Sequence, residues 1–272
     1  MVEYFKLNKT FTQGTTYEMP ADTFYVIKKI GTNASSDTRL VIDGVKTGPI
    51  VNRVAPTQKT ESNLLGPLDL KDLYYVIPPK KTFEVEGPSG ARIRAIGLIG
   101  KLAGGEVLPA QYAARFNEQG KNYMTYVTGT ATLAEAGTNW AADTETEVYS
   151  LTPKTVEQYT FDNIFMAGVA NAGTTITEGM IGLRFFLEGR PLDILTSEPG
   201  PKGIDIMATP NPPAAGGEEE VFTLEGNPIE VPGDYTLSIK AVNVSGSAIP
   251  ADSTNDMTCT IYAVVRYSKT KK

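Results

Sequence analysis

The chain has 272 residues, 41% hydrophobic and 21% charged, with a formal charge of −6 and a pI near 4.9. This excludes global disorder and weighs against a nucleic-acid-coating role, which calls for a basic surface. There is no histidine and one cysteine, Cys259. Ser-His-Asp and Cys-His catalysis, the usual zinc sites and an internal disulfide are thereby removed, while carboxylate-pair glycosidase chemistry and oxygen-only calcium sites survive.

The opening residues, MVEYFKLNKTFTQ, carry no apolar h-region, so no secretory signal is expected. Val2 to Leu7 reads as a first strand. Thr23 to Ile30 (TFYVIKKI) reads as a second, followed by a polar turn from Gly31 to Asp37. Arg39 to Ile42 is a strand closed by Asp43-Gly44, a hairpin-type turn signal. Lys46 to Leu70 is polar and Pro-spotted and reads as a long surface excursion of the kind that makes contacts.

Tyr74 to Leu102, YYVIPPKKTFEVEGPSGARIRAIGLIGKL, reads as strand, Pro-Pro break, strand, tight turn, strand. Phe83 and Val85 alternate with Thr82, Glu84 and Glu86, and Gly87-Pro88-Ser89-Gly90 is turn chemistry. A hairpin register placing Glu86 opposite Arg92, Val85 opposite Ile93 and Glu84 opposite Arg94 satisfies both faces, with solvated ion pairs on one and apolar pairs on the other. Past Ala95 the strand turns apolar and Gly-rich, as a strand covered on both faces does.

Pro109 opens the one clear helix, PAQYAARFNEQG, with Tyr112, Ala113 and Phe116 on a single face and Gly120 at the exit. Tyr123 to Leu133 then alternates as a strand. Ala134 to Ala142 reads as a linker carrying the only tryptophan, Trp140, expected to plug the core.

From Thr146 the chain echoes its own beginning. Glu147 to Leu151 resembles Glu3 to Leu7, and Phe165 to Gly189 resembles Phe24 to Gly44. Val231 to Ile239 resembles Ile77 to Val85, and Met257 to Tyr267 matches Arg92 to Leu102. The extra length of the second copy falls in the Pro/Gly/Glu loop Ala208 to Glu220. Two similar modules or one large sandwich with insertions both fit this pattern. The expected architecture is all-β: two tandem antiparallel β-sandwich, jelly-roll-like modules at 1–102 and 147–272, joined by a helix-containing insertion at 103–146.

Candidate chemistry is thin. Asp143, Glu145 and Glu147 share one strand face and have the spacing for a hard cation, but acids on a solvated edge also discourage strand pairing. Glu218 to Glu220 sit at a loop tip. Tyr74, Tyr75, Tyr123 and Tyr126 could stack on a sugar, although tyrosines on strands mostly pack half-buried. Sequons occur at Asn8, Asn33 and Asn243, Lys269 to Lys272 form a basic tail, and Cys259 lies in an apolar strand as a buried thiol. No phosphate-binding Gly-rich loop and no Gly-x-Ser-x-Gly elbow occurs. No catalytic, cofactor-binding or metal-ligating residue is nominated, and no cofactor is expected.

The texture of FYVIKKIGTNASSDTRLVIDG and YYVIPPKKTFEVEGPSGARIRAIG resembles the jelly-roll capsid and decoration (cement) proteins of icosahedral phages and archaeal viruses. The resemblance runs over most of the chain and rests on no diagnostic motif. It implies a non-enzymatic virion subunit, made in the host cytoplasm, that forms homo-oligomers and contacts other virion proteins through loops and strands. Small-molecule substrates, direct nucleic-acid binding and a membrane span are not expected. A carbohydrate- or cell-surface-binding β-sandwich module is the alternative, and a carboxylate-type enzyme is the third class.

Overall fold

The computed structural model describes residues 2–34, 36–47, 49–51, 68–161, 164–177, 179–192, 204–205, 221–223 and 228–269. The described residues form two compact units, one within 2–51, 68–126 and 266–269, the other within 127–265. The protein is all-β with one α-helix among the described residues.

The first module is built from β1 (Glu3–Thr12), β2 (Tyr17–Glu18), β3 (Thr23–Thr32), β4 (Arg39–Ile42), β5 (Val45–Lys46), β6 (Leu68–Asp69), β7 (Tyr75–Ile77), β8 (Thr82–Glu86) and β9 (Arg92–Lys101). One sheet runs β1-β9-β3, with β6 and β7 sharing the far edge of β3; the other runs β2-β8-β4-β5. Taking β6 and β7 as one interrupted strand, the order is 1-8-3-6 facing 2-7-4-5, which is the jelly roll. The sheets meet through aromatics. Phe11 packs edge-on against Phe83 at 4.9 Å, and Tyr17 stacks on Phe83 at 5.3 Å.

This order overturns the expected hairpin. β8 pairs with β4, and β9 pairs with β1 and β3, so Glu86 lies opposite Arg39, and Arg92 lies opposite Thr12 and near Asn33. Glu86 forms ion pairs with Arg39 (3.5 Å) and Lys46, and Arg94 donates to Asn8 Oδ1 (3.1 Å). The Gly87–Gly90 turn carries the chain from one sheet to the other instead of back along its own sheet. The face assignment within β8 stands: Phe83 and Val85 are buried and Glu84 is exposed.

Helix α1 (Ala110–Glu118) covers the outer face of the first sheet, where Tyr112 lies 5.3 Å from Phe24 and 5.9 Å from Tyr74. It also closes the edge of β7. The Gln119 amide, one residue past the helix, reads both backbone groups of Val76, accepting from its N–H (2.8 Å) and donating to its carbonyl (3.0 Å). Buried Arg115 donates to three carbonyls: Tyr74 (2.8 Å), Leu73 (3.1 Å) and Asn122 (2.7 Å). Arg115→Ala strands three acceptors and costs on the order of 3 kcal/mol, read as a lower denaturation midpoint. Arg115→Lys, with one compact ammonium for three diverging carbonyls, recovers only part of that loss.

The second module continues with β10 (Asn122–Ala134), β11 (Asn139–Trp140), β12 (Glu145–Leu151), β13 (Glu157–Phe161), β14 (Ile164–Ala170), β15 (Ile181–Leu187), β16 (Arg190–Pro191), β17 (Ile204–Asp205), β18 (Val221–Thr223), β19 (Ile229–Val231), β20 (Leu237–Asn243), β21 (Ile249–Pro250) and β22 (Met257–Lys269). β12-β20-β15-β16 repeats β2-β8-β4-β5. β22 lies between β10 on one side and β13 and β14 on the other, as β9 lies between β1 and β3.

The registers agree around the corresponding turns. Ile42↔Phe83 has its counterpart in Leu187↔Leu237, and Tyr25↔Ile77 in Tyr159↔Val231. The turn backbones agree as well. Asp43-Gly44 and Glu188-Gly189 are both left-handed, as are Lys80 and Asp234. The bond from Asp43 N–H to the Thr82 carbonyl (2.9 Å) recurs from Glu188 N–H to Thr236 (2.9 Å). One expected echo is corrected: β12 pairs as β2 does, so Glu147–Leu151 is not the counterpart of Glu3–Leu7. β10 takes the place of β1, and β3 is replaced by β13 and β14 together.

The second core gathers Trp140, Phe161, Leu183, Ile239, Cys259 and Val265. Trp140 is 2% exposed, a core residue on β11 as expected of a plug. Cys259 is buried and free, and burial pushes its thiol pKa up to about 12. Native protein is expected to resist thiol reagents at neutral pH and to react in full once denatured; labelling followed by mass spectrometry checks this.

Candidate functional site

Two of the three acids singled out by spacing, Glu145 and Glu147, have side-chain partners. Glu145 pairs with Arg184 and with Lys240 (3.2 Å), and Glu147 accepts from Ser238 Oγ (2.6 Å). Arg184 and Lys240 also lie over the Phe186 ring, at 5.0 and 4.6 Å. These residues come from β12, β20 and β15, so the acidic row belongs to a cross-strand belt of ion and cation–π pairs. Asp143 lies outside it, in a left-handed turn. Among the described residues, no group of three or more His, Cys, Asp or Glu is placed to hold a metal ion. None of the described helices is long and apolar enough to cross a membrane.

The four tyrosines do not form one platform. Tyr75 is fully buried, with its hydroxyl at 2.8 Å from Thr47 Oγ1, and desolvation pushes its pKa up. Burial raises Tyr126 to about 12, and Tyr123 packs on Tyr267 at 4.7 Å. Tyr74 remains, half-buried beside Tyr112. The sequon at Asn243 is fully buried. Its Nδ2 donates to the carbonyls of Trp140 (3.0 Å), Ala141 (3.1 Å) and Ser247 (2.9 Å), while Oδ1 accepts from Ser245 N–H (3.1 Å) and Oγ (2.7 Å). Asn243 is therefore a structural clamp, a role that sequence spacing does not reveal.

Tyr74 and Tyr112 line a groove of about 380 Å³ in the first unit, rimmed by Lys28, Lys29, Lys71, Asp69 and Asp72. Asp69 is paired with Lys29 (3.3 Å) and accepts from Lys71 N–H (2.9 Å). That backbone hydrogen bond, the largest influence, and then Lys29 hold its carboxyl below the usual range. Lys71 occupies a left-handed backbone conformation at the head of the 3-10 turn Lys71–Leu73. The ammonium groups of Lys28 and Lys71 make no ion pair within 4 Å among the described residues, and the groove sets three lysines against two aspartates, of which Asp72 is paired with Arg266 (3.3 Å).

Of the Lys46–Leu70 excursion, Val51 exchanges two 2.8 Å backbone bonds with Thr38, and Leu68 and Asp69 form β6; residues 52–67 lie outside the described residues. So do the loop from Ala208 to Glu220 and the tail beyond Lys269.

The edges of the first module differ sharply. β2, β5 and β6 are two residues long, and Gln119 caps β7. Among the described residues, β1 is an edge strand of ten residues paired only with β9, and it carries the exposed aromatics Tyr4 (46%) and Phe5 (50%). Short or covered edges are the usual protection against strand addition, and β1 lacks both.

No family model matches the chain, and no curated protein matches it. Among solved structures it is similar to BuGH86 in complex with neoagarooctaose, at 11% identity over 98% of this chain and 34% of that one, TM-score 0.23. It is similar to the ANX2 ectodomain from Arabidopsis thaliana, at 9% identity over 97% and 83%, TM-score 0.26. It is also similar to a chain of infectious bursal disease virus, Gx strain, at 10% identity over 98% and 76%, TM-score 0.22. The chain spans 34% and 32% of the length of the two BuGH86 chains. The fold description rests on the strand order itself.

Proposed function

We propose that this chain is a non-enzymatic structural subunit of a virus particle, a capsid or capsid-decorating protein that acts by joining copies of itself and other virion proteins. The observation that carries the reading is the repetition of one jelly-roll order within a single chain, down to its registers and turn residues. We take the repeat to be an internal duplication spanning residues 3–101 and 122–269. Jelly rolls build viral shells and also bind saccharides, so the fold alone leaves both uses open. Doubling favours the first. Two alike modules per chain repeat the same kind of surface within each copy, which suits closed, symmetric assembly. The belt at Glu145, Arg184 and Lys240 fits the same reading, since those charges stabilise strands and leave no pair of acids for hydrolysis there.

Size-exclusion chromatography with light scattering tests the proposal. The expected species has the mass of two or more 29.3 kDa chains. A protein that stays monomeric at its highest soluble concentration overturns it.

The groove at Tyr74 favours a second reading, a carbohydrate- or cell-surface-binding module. Calorimetric titration with neutral and sulfated oligosaccharides tests it, with the Lys28→Ala, Lys71→Ala double variant as control. Heat of binding that the double variant abolishes supports this reading, and no heat with either sugar rejects it. Trp140 fluorescence is a poor reporter, because the indole is buried in the other unit.

A further inference from the structure

We propose, building on the assembly reading above, that β1 is a self-association strand: two copies of the chain pair β1 with β1 antiparallel about a twofold axis, with Phe5 at the axis. The backbone parity of β1 sets this up. Gln13 N–H donates to the Ala91 carbonyl (2.9 Å), continuing the β1–β9 ladder, while Thr12 N–H donates to the Tyr17 hydroxyl (2.8 Å). Alternation then points the odd residues of β1 toward β9 and the even ones away. Tyr4, Lys6, Asn8 and Thr10 thus present N–H and C=O groups to the open edge, and these have no hydrogen-bond partner among the described residues.

Side-chain chemistry selects the register. In a twofold antiparallel pair the outward-facing even residues must meet even residues, so the axis falls on a single residue. Centring on Lys6 sets two ammonium groups directly opposite each other, which is unfavourable. Centring on Phe5 pairs the two exposed Phe5 rings and places each Tyr4 opposite the Lys6 of the other copy, an aromatic–cation contact. It also covers both exposed aromatics of β1 at the middle of the contact, where interface energy concentrates. Lys6 thus disfavours one register without blocking the edge. The occupant is a second copy, because the same five residues, Glu3 to Leu7, supply both sides without opposing like charges.

A cysteine introduced at Phe5 tests the idea cleanly, since the native Cys259 is buried. Phe5 makes no hydrogen bonds across the new pair, and such positions bring opposed Cα atoms to about 4.5 Å, within disulfide reach. Phe5→Cys is expected to give a disulfide-linked dimer under mild oxidation, and Thr10→Cys, with no opposite residue in this register, is not. Phe5→Glu in the full chain is expected to weaken self-association by on the order of tenfold or more in light scattering; circular dichroism confirms that each variant is folded. Oligomers that form while folded Phe5→Cys fails to cross-link overturn the β1 pairing and leave the assembly reading standing. A protein that neither oligomerises nor cross-links overturns both.

Discussion

Gly97→Ala is expected to destabilise the first module by about 3 kcal/mol or more. Gly97 sits mid-strand in β9, opposite Leu7 of β1 and Ile27 of β3. The ladder with β3 shifts register between Ile27 and Lys29, so β3 carries one extra residue there. That bulge pushes the β3 backbone against β9, and a Cβ on Gly97 would lie 2.0 Å from the Val26 carbonyl oxygen and 2.9 Å from the Lys28 nitrogen. Both are main-chain atoms inside a hydrogen-bonded sheet, so neither can swing aside. Denaturant unfolding read by circular dichroism measures the loss. Gly104→Ala is the control: a Cβ there meets nothing within 4 Å, and a change within about 0.5 kcal/mol is expected. Equal stability of the Gly97 variant and wild type would show that the bulge relaxes freely.

Asn243→Asp is expected to cost on the order of 3 kcal/mol at neutral pH, and less in acid. The substitution keeps shape and volume. It replaces an amide that donates to Trp140, Ala141 and Ser247 with an oxygen that faces the same three carbonyls. A fully buried carboxylate surrounded by acceptors has its pKa raised in the folded state. The part of the penalty due to ionisation is therefore absent below the unfolded carboxylate value of about 3.9 and grows as pH rises from there to the raised folded value, while the loss of the amide's donated bonds persists in acid. Unfolding midpoints at several pH values, each compared with wild type, should diverge from acid to neutral. Parallel curves would mean that the buried oxygen does not ionise or finds a donor. Because Asn243 also bonds through its backbone to Asp143 and Thr144, the loss should loosen the start of β12 as well.

The local pattern of the first module was legible where a side chain's environment depends on its own neighbours in sequence. Period-two alternation placed Phe83 and Val85 inside. Asp43-Gly44 and the Pro-rich break before Thr82 marked turns that adopt left-handed backbone. The helix at Ala110–Glu118 was visible from its Pro start and its apolar face. Arg115 was not, because its three carbonyl partners lie at Leu73, Tyr74 and Asn122, and nothing near Arg115 in sequence announces them. The cation partners of Glu145 were hidden for the same reason, arriving from Arg184 and Lys240 on separate strands.

The two-residue strand β2 shows the limit most clearly. Tyr17-Glu18 is too short to register as a strand, yet it pairs with β8 and fixes the equivalence of β2 with β12. Without it, Glu147–Leu151 reads as a second copy of Glu3–Leu7, and the Glu86–Arg92 ladder reads as the natural use of four charges.

By itself the sequence determined that this is an all-β chain of turns and alternating strands, with one helix, a repeated turn chemistry and no histidine-dependent site. Those properties follow from local backbone preferences, side-chain alternation and composition. Only the tertiary structure decided which strand pairs with which, that the chain crosses between sheets at Gly87–Gly90, and that, among the described residues, β1 alone of the first module's edges is both long and bare. Pairing is chosen by burial and backbone bonding between segments far apart in sequence, and a strand's own residues carry its faces but not its neighbours.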